Sequence, residues 1–295
     1  MVRNFDMFLL ILKRTLVVAI GLYLGACASA SKPVSPAGIT ELTIESKGQR
    51  MAGLLYSPSG PGPHPTVILL HGYPGNEKNL DLAQAIRRSG WNVLFFHYRG
   101  SWGSEGEFSF IGAEQDVQAV IQYIRSEPQA SKLNVNTSHI STVGHSMGGH
   151  MAVAGLLDNP TVRCAVALDG ANMGANAGLG LFRDPRIGKV WRDYSDTLFM
   201  LNGWSGAKAT QEMEKYGAKL DLVPRAVNAA NRPILLLAAD TDVIPMNTHI
   251  NPLFNALEEH SDVTTLTVIK DDHSFSTNRV KMIKTVDQFL RKNCR

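Results

Sequence analysis

The stretch Gly144-His145-Ser146-Met147-Gly148-Gly149 decides the fold. It follows the short apolar run Ile140-Ser141-Thr142-Val143 and leads into the small-residue stretch Met151-Ala152-Val153-Ala154-Gly155-Leu156-Leu157. That order reads as strand, tight turn, helix. Glycines two residues either side of Ser146 let the backbone turn sharply enough to lift the serine out at the end of the strand, which is the physical content of a nucleophile elbow.

Outward from the elbow, the same alternation continues. Thr66-Val67-Ile68-Leu69-Leu70 is an apolar run bounded by turn signals, as expected of a strand buried on both faces, and it ends at His71-Gly72-Tyr73-Pro74-Gly75. Leu80, Ala83 and Ile86, followed by Arg87, Arg88 and Gly90, fit a helix with a basic last turn and a glycine stop. Trp91 to Phe96 is the next strand; Val117, Val120, Ile121 and Ile124 then repeat at helical spacing until Pro128. Upstream, Glu41–Ile44 and Met51–Tyr56 flank Lys47-Gly48-Gln49 as an antiparallel hairpin at a sheet edge. Downstream, Ala165–Leu168, Pro233–Ala238 and Val263–Ile269 supply further strands, and Val280, Ile283, Val286, Phe289 and Leu290 a closing amphipathic helix. Parallel strands need crossovers, so this alternation predicts a mostly parallel, doubly wound α/β sheet with ligands at the carboxyl ends of its strands. Residues 171–231 break the pattern: aromatic and aliphatic residues with no β-rich run predict a small helical cap inserted over that edge.

These motifs resemble those of the α/β-hydrolase family from about Thr40 to Leu290. Beyond the elbow, the resemblance rests on the His71 to Gly75 turn, on Tyr98-Arg99-Gly100-Ser101-Trp102-Gly103-Ser104, on an aspartate near Asp242 and on the late His273. It implies a serine nucleophile, an acid and a histidine in chain order: Ser146, Asp242 and His273. Asp240 competes with Asp242, because both follow the Pro233–Ala238 strand and the usual glycine of the acid motif is Ala239 here. The resemblance maps the oxyanion hole to the backbone N–H groups of Tyr73 and Met147, whereas Pro74 has no N–H to give. His71 and His145 read as structural neighbours of the turn and of the serine. His97 stands where the family often carries aspartate. Trp191 and Trp204 are candidate walls of an apolar acyl or aromatic pocket in the cap.

The 295 residues, with 44% hydrophobic and 19% charged content, suit one large α/β domain. The formal charge of +3 owes much to the first 26 residues, which hold three basic side chains and one acidic; 26 basic and 25 acidic side chains remain, and nothing points to nucleic acid. In that leader, Lys13 and Arg14 precede the apolar run Leu16 to Leu24, too short for a comfortable span of ~20 residues. Leu24-Gly25-Ala26-Cys27 resembles a bacterial lipobox. The expected organisation is therefore a signal peptide over 1–26, a small, proline-broken tether over 27–39 and a hydrolase domain over 40–295. The mature chain is expected to be held by acylated Cys27 at a membrane of the cell envelope, with Ala28 pointing to outer-membrane sorting toward the periplasm. Of the remaining cysteines, Cys164 reads as a small buried hydrophobe; an oxidising compartment would permit a bridge to Cys294 without the pair making a disulfide framework. No metal-ligand spacing and no cofactor motif is present. Three activities fit: a serine esterase on small or medium carboxylic esters, a serine peptidase or amidase on the same machinery, and a non-catalytic binding protein.

Overall fold

The computed structural model describes residues 35–178, 180–240 and 244–295. The leader, Cys27 and Asp242 lie outside the described residues. Among the described residues eight strands form one sheet in the order β1-β2-β4-β3-β5-β6-β7-β8. They are β1 (Gly38–Ser46), β2 (Gln49–Ser57), β3 (His64–Leu70), β4 (Asn92–Phe96), β5 (Val135–His145), β6 (Val162–Leu168), β7 (Ile234–Ala239) and β8 (Thr264–Ile269). β1, β2 and β4 pair antiparallel, and every pair from β4 across to β8 is parallel. The early hairpin is thus the antiparallel edge of an otherwise parallel sheet.

Among the described residues the helices of eight or more residues are α1 (Leu80–Arg88), α2 (Phe110–Arg125), α3 (Met147–Leu157), α4 (Ile187–Asp196), α5 (Gly206–Tyr216), α6 (Asn251–Glu258) and α7 (Arg279–Asn293). One face of the sheet packs against α2 and α3 through Ile68, Leu94, Val117, Ile121, Met151 and Val153, and that core runs on into Leu198, Leu201 and Met213 between β6 and β7. The other face packs against α1 and α7 through Val67, Phe95, Ile86, Val286 and Leu290. With both faces covered, the central strands carry apolar side chains at successive positions rather than alternating ones, as in the fully buried Ile234–Ala239.

Between β6 and β7 the chain is helical: α4, α5 and shorter turns, with one isolated bridge, Ser101 to Leu201, tying this segment to the loop after β4. Cys164 in β6 and Cys294 beyond α7 are fully buried and disulfide-bonded, with Cα atoms 5.7 Å apart. Cys164 is thus more than a space-filling hydrophobe. No helix among the described residues is long and apolar enough to cross a membrane.

Candidate active site

Parallel pairing brings the carboxyl ends of β3 to β8 to one edge, so the residues after Leu70, His145, Leu168, Ala239 and Ile269 share it. Ser146 leaves β5 with φ 59° and ψ −122°, a left-handed conformation that costs a non-glycine residue on the order of 1–3 kcal/mol. The flanking glycines make the turn possible by close approach. A Cβ on Gly144 would stand 1.9 Å from the Gly148 carbonyl oxygen, and one on Gly148 would stand 2.1 Å from that of Leu70. Ser146 is held on both sides: its N–H donates to Leu168 O at 2.9 Å, and its carbonyl accepts from Ala171 at 3.2 Å.

Between those two partners sits Asp169, fully buried and itself at φ 44°. Its Oδ2 accepts from His273 Nδ1 at 2.9 Å, and its Oδ1 accepts from the Ala239 N–H at 2.9 Å. His273, on the loop between β8 and α7, is partly exposed. Its carbonyl accepts from His145 Nε2 at 2.7 Å, with the two rings 4.5 Å apart. His145 therefore joins the elbow to the histidine loop. Asp240 is exposed at the end of β7, where its N–H donates to Ile269 O at 3.2 Å. Asp169 thus places a carboxylate on His273 Nδ1, a contact that sequence reading did not single out, while the expected acid Asp242 lies outside the described residues.

The turn after β3 lies against the serine, Gly72 so close that a Cβ there would be 3.0 Å from Ser146 Cβ. His71 is buried; Nδ1–H donates to Gly72 O at 2.9 Å, and burial holds the imidazole down at about 4, hence neutral. Tyr98 donates to His71 O at 3.2 Å and Trp102 to Pro74 O at 2.7 Å. His97 packs 5.2 Å from the His71 ring and 6.1 Å from that of Trp102, and burial lowers its pKa to about 3. Arg99 holds the next loop, its N–H donating to Asp116 at 2.9 Å while its guanidinium pairs with the same carboxylate.

Tyr73 points into the cap. It stacks on Trp191 at 5.5 Å and meets Phe110 at 5.3 Å. Its hydroxyl accepts from Trp204 Nε1 at 2.7 Å and donates to Ser195 Oγ at 2.8 Å; burial pushes it up to about 12. Both candidate pocket tryptophans are thus brought onto one side chain of the turn. Behind α3, His150 Nε2 donates to Glu114 at 2.9 Å, and Arg225 bridges Glu114 and Asp158 at 2.7 and 2.6 Å. Among the described residues no cluster of three or more His, Cys, Asp or Glu is placed to hold a metal ion.

A profile of the BD-FAE family matches residues 54–175, from β2 through the elbow to just past Asp169. An uncharacterized protein of Mycobacterium tuberculosis is 29% identical over 137 residues, 46% of this chain and 47% of its own length. The uncharacterized protein YfhR of Salmonella typhimurium is 32% identical over 90 residues, 30% of this chain and 29% of its own. The chain thus spans about half, or less, of the length of the curated relatives it matches. Among solved structures, the Pyrococcus furiosus esterase Pf2001 superposes with a TM-score of 0.63 at 16% identity, covering 90% of this chain and 99% of that one. The acylaminoacyl peptidase of Pyrococcus horikoshii gives 0.66 at 18% identity over 88% of this chain and 42% of its own. The α/β hydrolase GrgF from Penicillium gives 0.66 at 16% identity, over 88% and 99%. The shared architecture is the α/β-hydrolase fold, and this chain has it.

Proposed function

We propose that this chain is a serine hydrolase that cleaves carboxylic esters through a covalent acyl-enzyme. The observation that carries the reading is the buried Asp169 carboxylate on His273 Nδ1, immediately beside the strained Ser146. In this mechanism Ser146 Oγ attacks the ester carbonyl while His273 Nε2 takes its proton. The tetrahedral oxyanion is met by the N–H groups of Tyr73 and Met147. Collapse expels the alcohol, which leaves with the proton from His273. Water then gives its proton to His273 and attacks the acyl carbon, and return of that proton to Ser146 releases the acid. The acid that fixes the His273 tautomer and stabilises the imidazolium is Asp242, as the sequence pattern has it, or Asp169, whose carboxylate meets Nδ1.

The aromatic lining around Tyr73, Trp191 and Trp204 favours substrates with an apolar acyl or aromatic group. The same machinery permits amide substrates, and one structural neighbour is a peptidase. The leader pattern supports a mature chain that begins at acylated Cys27 and is membrane-held in a bacterial envelope; intact mass of the mature chain checks it, an unmodified N-terminus overturning it. The activity is tested by fluorophosphonate labelling followed by turnover of ester and peptide panels. Labelling should vanish in Ser146→Ala, and ester turnover should fall by up to about a millionfold. A variant that keeps a tenth of wild-type ester turnover would overturn the assignment.

A further inference from the structure

The amino ends of β5, β6 and β7 lie side by side at the sheet edge opposite Ser146. Successive strand residues rise ~3.3 Å, so Val162–Leu168 alone puts roughly 20 Å between the two edges. At this far edge opens a cleft of about 530 Å³, walled by the last residues of α2 and α7 and by the loops entering β6 and β7. Arg125, Arg163 and Arg232 line it, together with Thr137, Ser138 and Asn231, and its lining holds no Asp or Glu.

Guanidiniums gathered around one cleft repel one another unless an anion lies among them. Among the described residues these three donate to backbone oxygens and to no carboxylate. Arg125 gives to Thr137 O, and Arg163 to Arg295 O at 2.9 Å. Arg232 gives to Asn159 O at 2.8 Å, Ala229 O at 3.0 Å, Val162 O at 3.1 Å and Asn228 O. Asp158, which borders the adjoining cleft with Arg232, is held instead by Arg225 at 2.6 Å. Carbonyls satisfy N–H donors but bring no net charge, so the positive charge of the cleft stands uncompensated. Arg225 and Arg232 make the contrast. Burial presses on both; Glu114 and Asp158 carry the Arg225 guanidinium above its ordinary pKa, whereas Arg232 is left below it. A partly buried cation without a counter-charge is the unfavourable case, and an anion from solution completes it.

The walls of the cleft are also fixed to each other. Cys164 follows Arg163 in β6, Cys294 follows Asn293 at the end of α7, and the disulfide joins the two. A cleft held in this way loses little conformational freedom when a ligand enters.

We propose that this cleft binds a phosphate group among Arg125, Arg163 and Arg232, at the end of the sheet away from the candidate active site. A tetrahedral dianion matches several forked guanidinium donors better than a lone carboxylate does, and the cleft has room beyond it for the rest of a small phosphomonoester or a lipid headgroup. The site stands apart from the serine-hydrolase reading and does not depend on it.

The full chain is titrated calorimetrically with inorganic phosphate and with glycerol 3-phosphate, against sodium chloride of equal ionic strength. In a second arm it is floated with phosphatidylcholine vesicles with and without phosphatidic acid, and only the binding that depends on phosphatidic acid is counted. Arg232 is left in place because it holds four carbonyls of its own turn; the variants are Arg163→Gln, which is exposed, and Arg125→Gln. Arg50→Gln, removing an exposed arginine that pairs with Glu105 on the antiparallel edge, is the control. Saturable binding in at least one arm is expected, weakened about tenfold in each variant and unchanged in the control. Binding of the soluble phosphates alone assigns the site to a soluble compound, and binding that needs phosphatidic acid assigns it to a headgroup. No saturable binding in either arm, or equal binding by wild type and Arg163→Gln, overturns the proposal. Thermal melts check that the variants are folded, and if Arg125→Gln is not, Arg163→Gln decides.

Discussion

Asp169 Oδ2 and His273 Nδ1, 104 residues apart in the chain, lie 2.9 Å apart at the carboxyl edge of the sheet. Asp169 follows β6, one strand nearer to Ser146 than β7, which Asp240 follows. Its second oxygen is fixed by the Ala239 N–H, so the carboxylate cannot rotate away without losing a buried hydrogen bond.

Asp169→Asn should therefore leave substrate binding near wild type and lower kcat on the order of a thousandfold or more, because an amide cannot hold the imidazole in its working tautomer. Steady-state kinetics of Asp169→Asn, Asp240→Asn and Asp242→Asn side by side check this. If only Asp242→Asn is crippled, the acid belongs to the β7 loop and Asp169 is a structural partner.

Trp204→Phe removes the donor to the Tyr73 hydroxyl while keeping most of the ring volume. With the Tyr73 N–H as the proposed oxyanion donor, loosening this turn should reduce kcat several-fold with little change in KM. Trp191→Ala should act on selectivity instead: kcat/KM for a hexanoyl ester should fall about tenfold more than for an acetyl ester. A uniform loss across acyl lengths would make Trp191 cap core rather than wall.

His71 titrates near 4 in the folded chain because it is buried, against 6.5 when exposed. Below pH 6.5 the unfolded chain therefore takes up a proton that the native chain refuses. Stability contributed by keeping His71 neutral is present above that pH and is lost as pH falls to about 4, by on the order of 3 kcal/mol. Urea midpoints between pH 7 and 4 should fall for wild type and fall less steeply for His71→Gln. Parallel slopes would contradict this.

Gly148→Ala would drive a methyl group to 2.1 Å from Leu70 O, a backbone atom that cannot step aside. Loss of several kcal/mol, or no folded protein, is expected from thermal melts. Gly178→Ala, where a Cβ meets nothing within 4 Å, is the matched control and should change Tm little.

The elbow, the alternation of strands and helices and the position of His273 were legible because each is local: small residues at fixed offsets and runs of one periodicity. The Asp169 contact to His273 was harder to read. Leu168-Asp169-Gly170 looks like any strand end, and its signal was an aspartate directly after a buried strand adjoining the elbow strand; the expected acid, Asp242, lies outside the described residues. Which carboxylate meets His273 depends on β6, β7 and β8 lying side by side, a relation between segments about 100 residues apart. Cys164 and Cys294 were opaque for the same reason, since their pairing depends on α7 covering the sheet face away from the cap. His145 read as packing, and its bond to the His273 carbonyl depends on the same fold.

That disulfide spans 130 residues and encloses the whole segment between β6 and β7. A protease that cuts once anywhere in 171–231 therefore cannot separate the halves: one carries Ser146 and Asp169, the other His273, and the bridge still joins them. Such a nicked molecule should run as a single band without reductant and as two fragments with it. Its two-chain form keeps Ser146 and His273 covalently on one molecule, so scission between β6 and β7 alters the cap without parting the two residues.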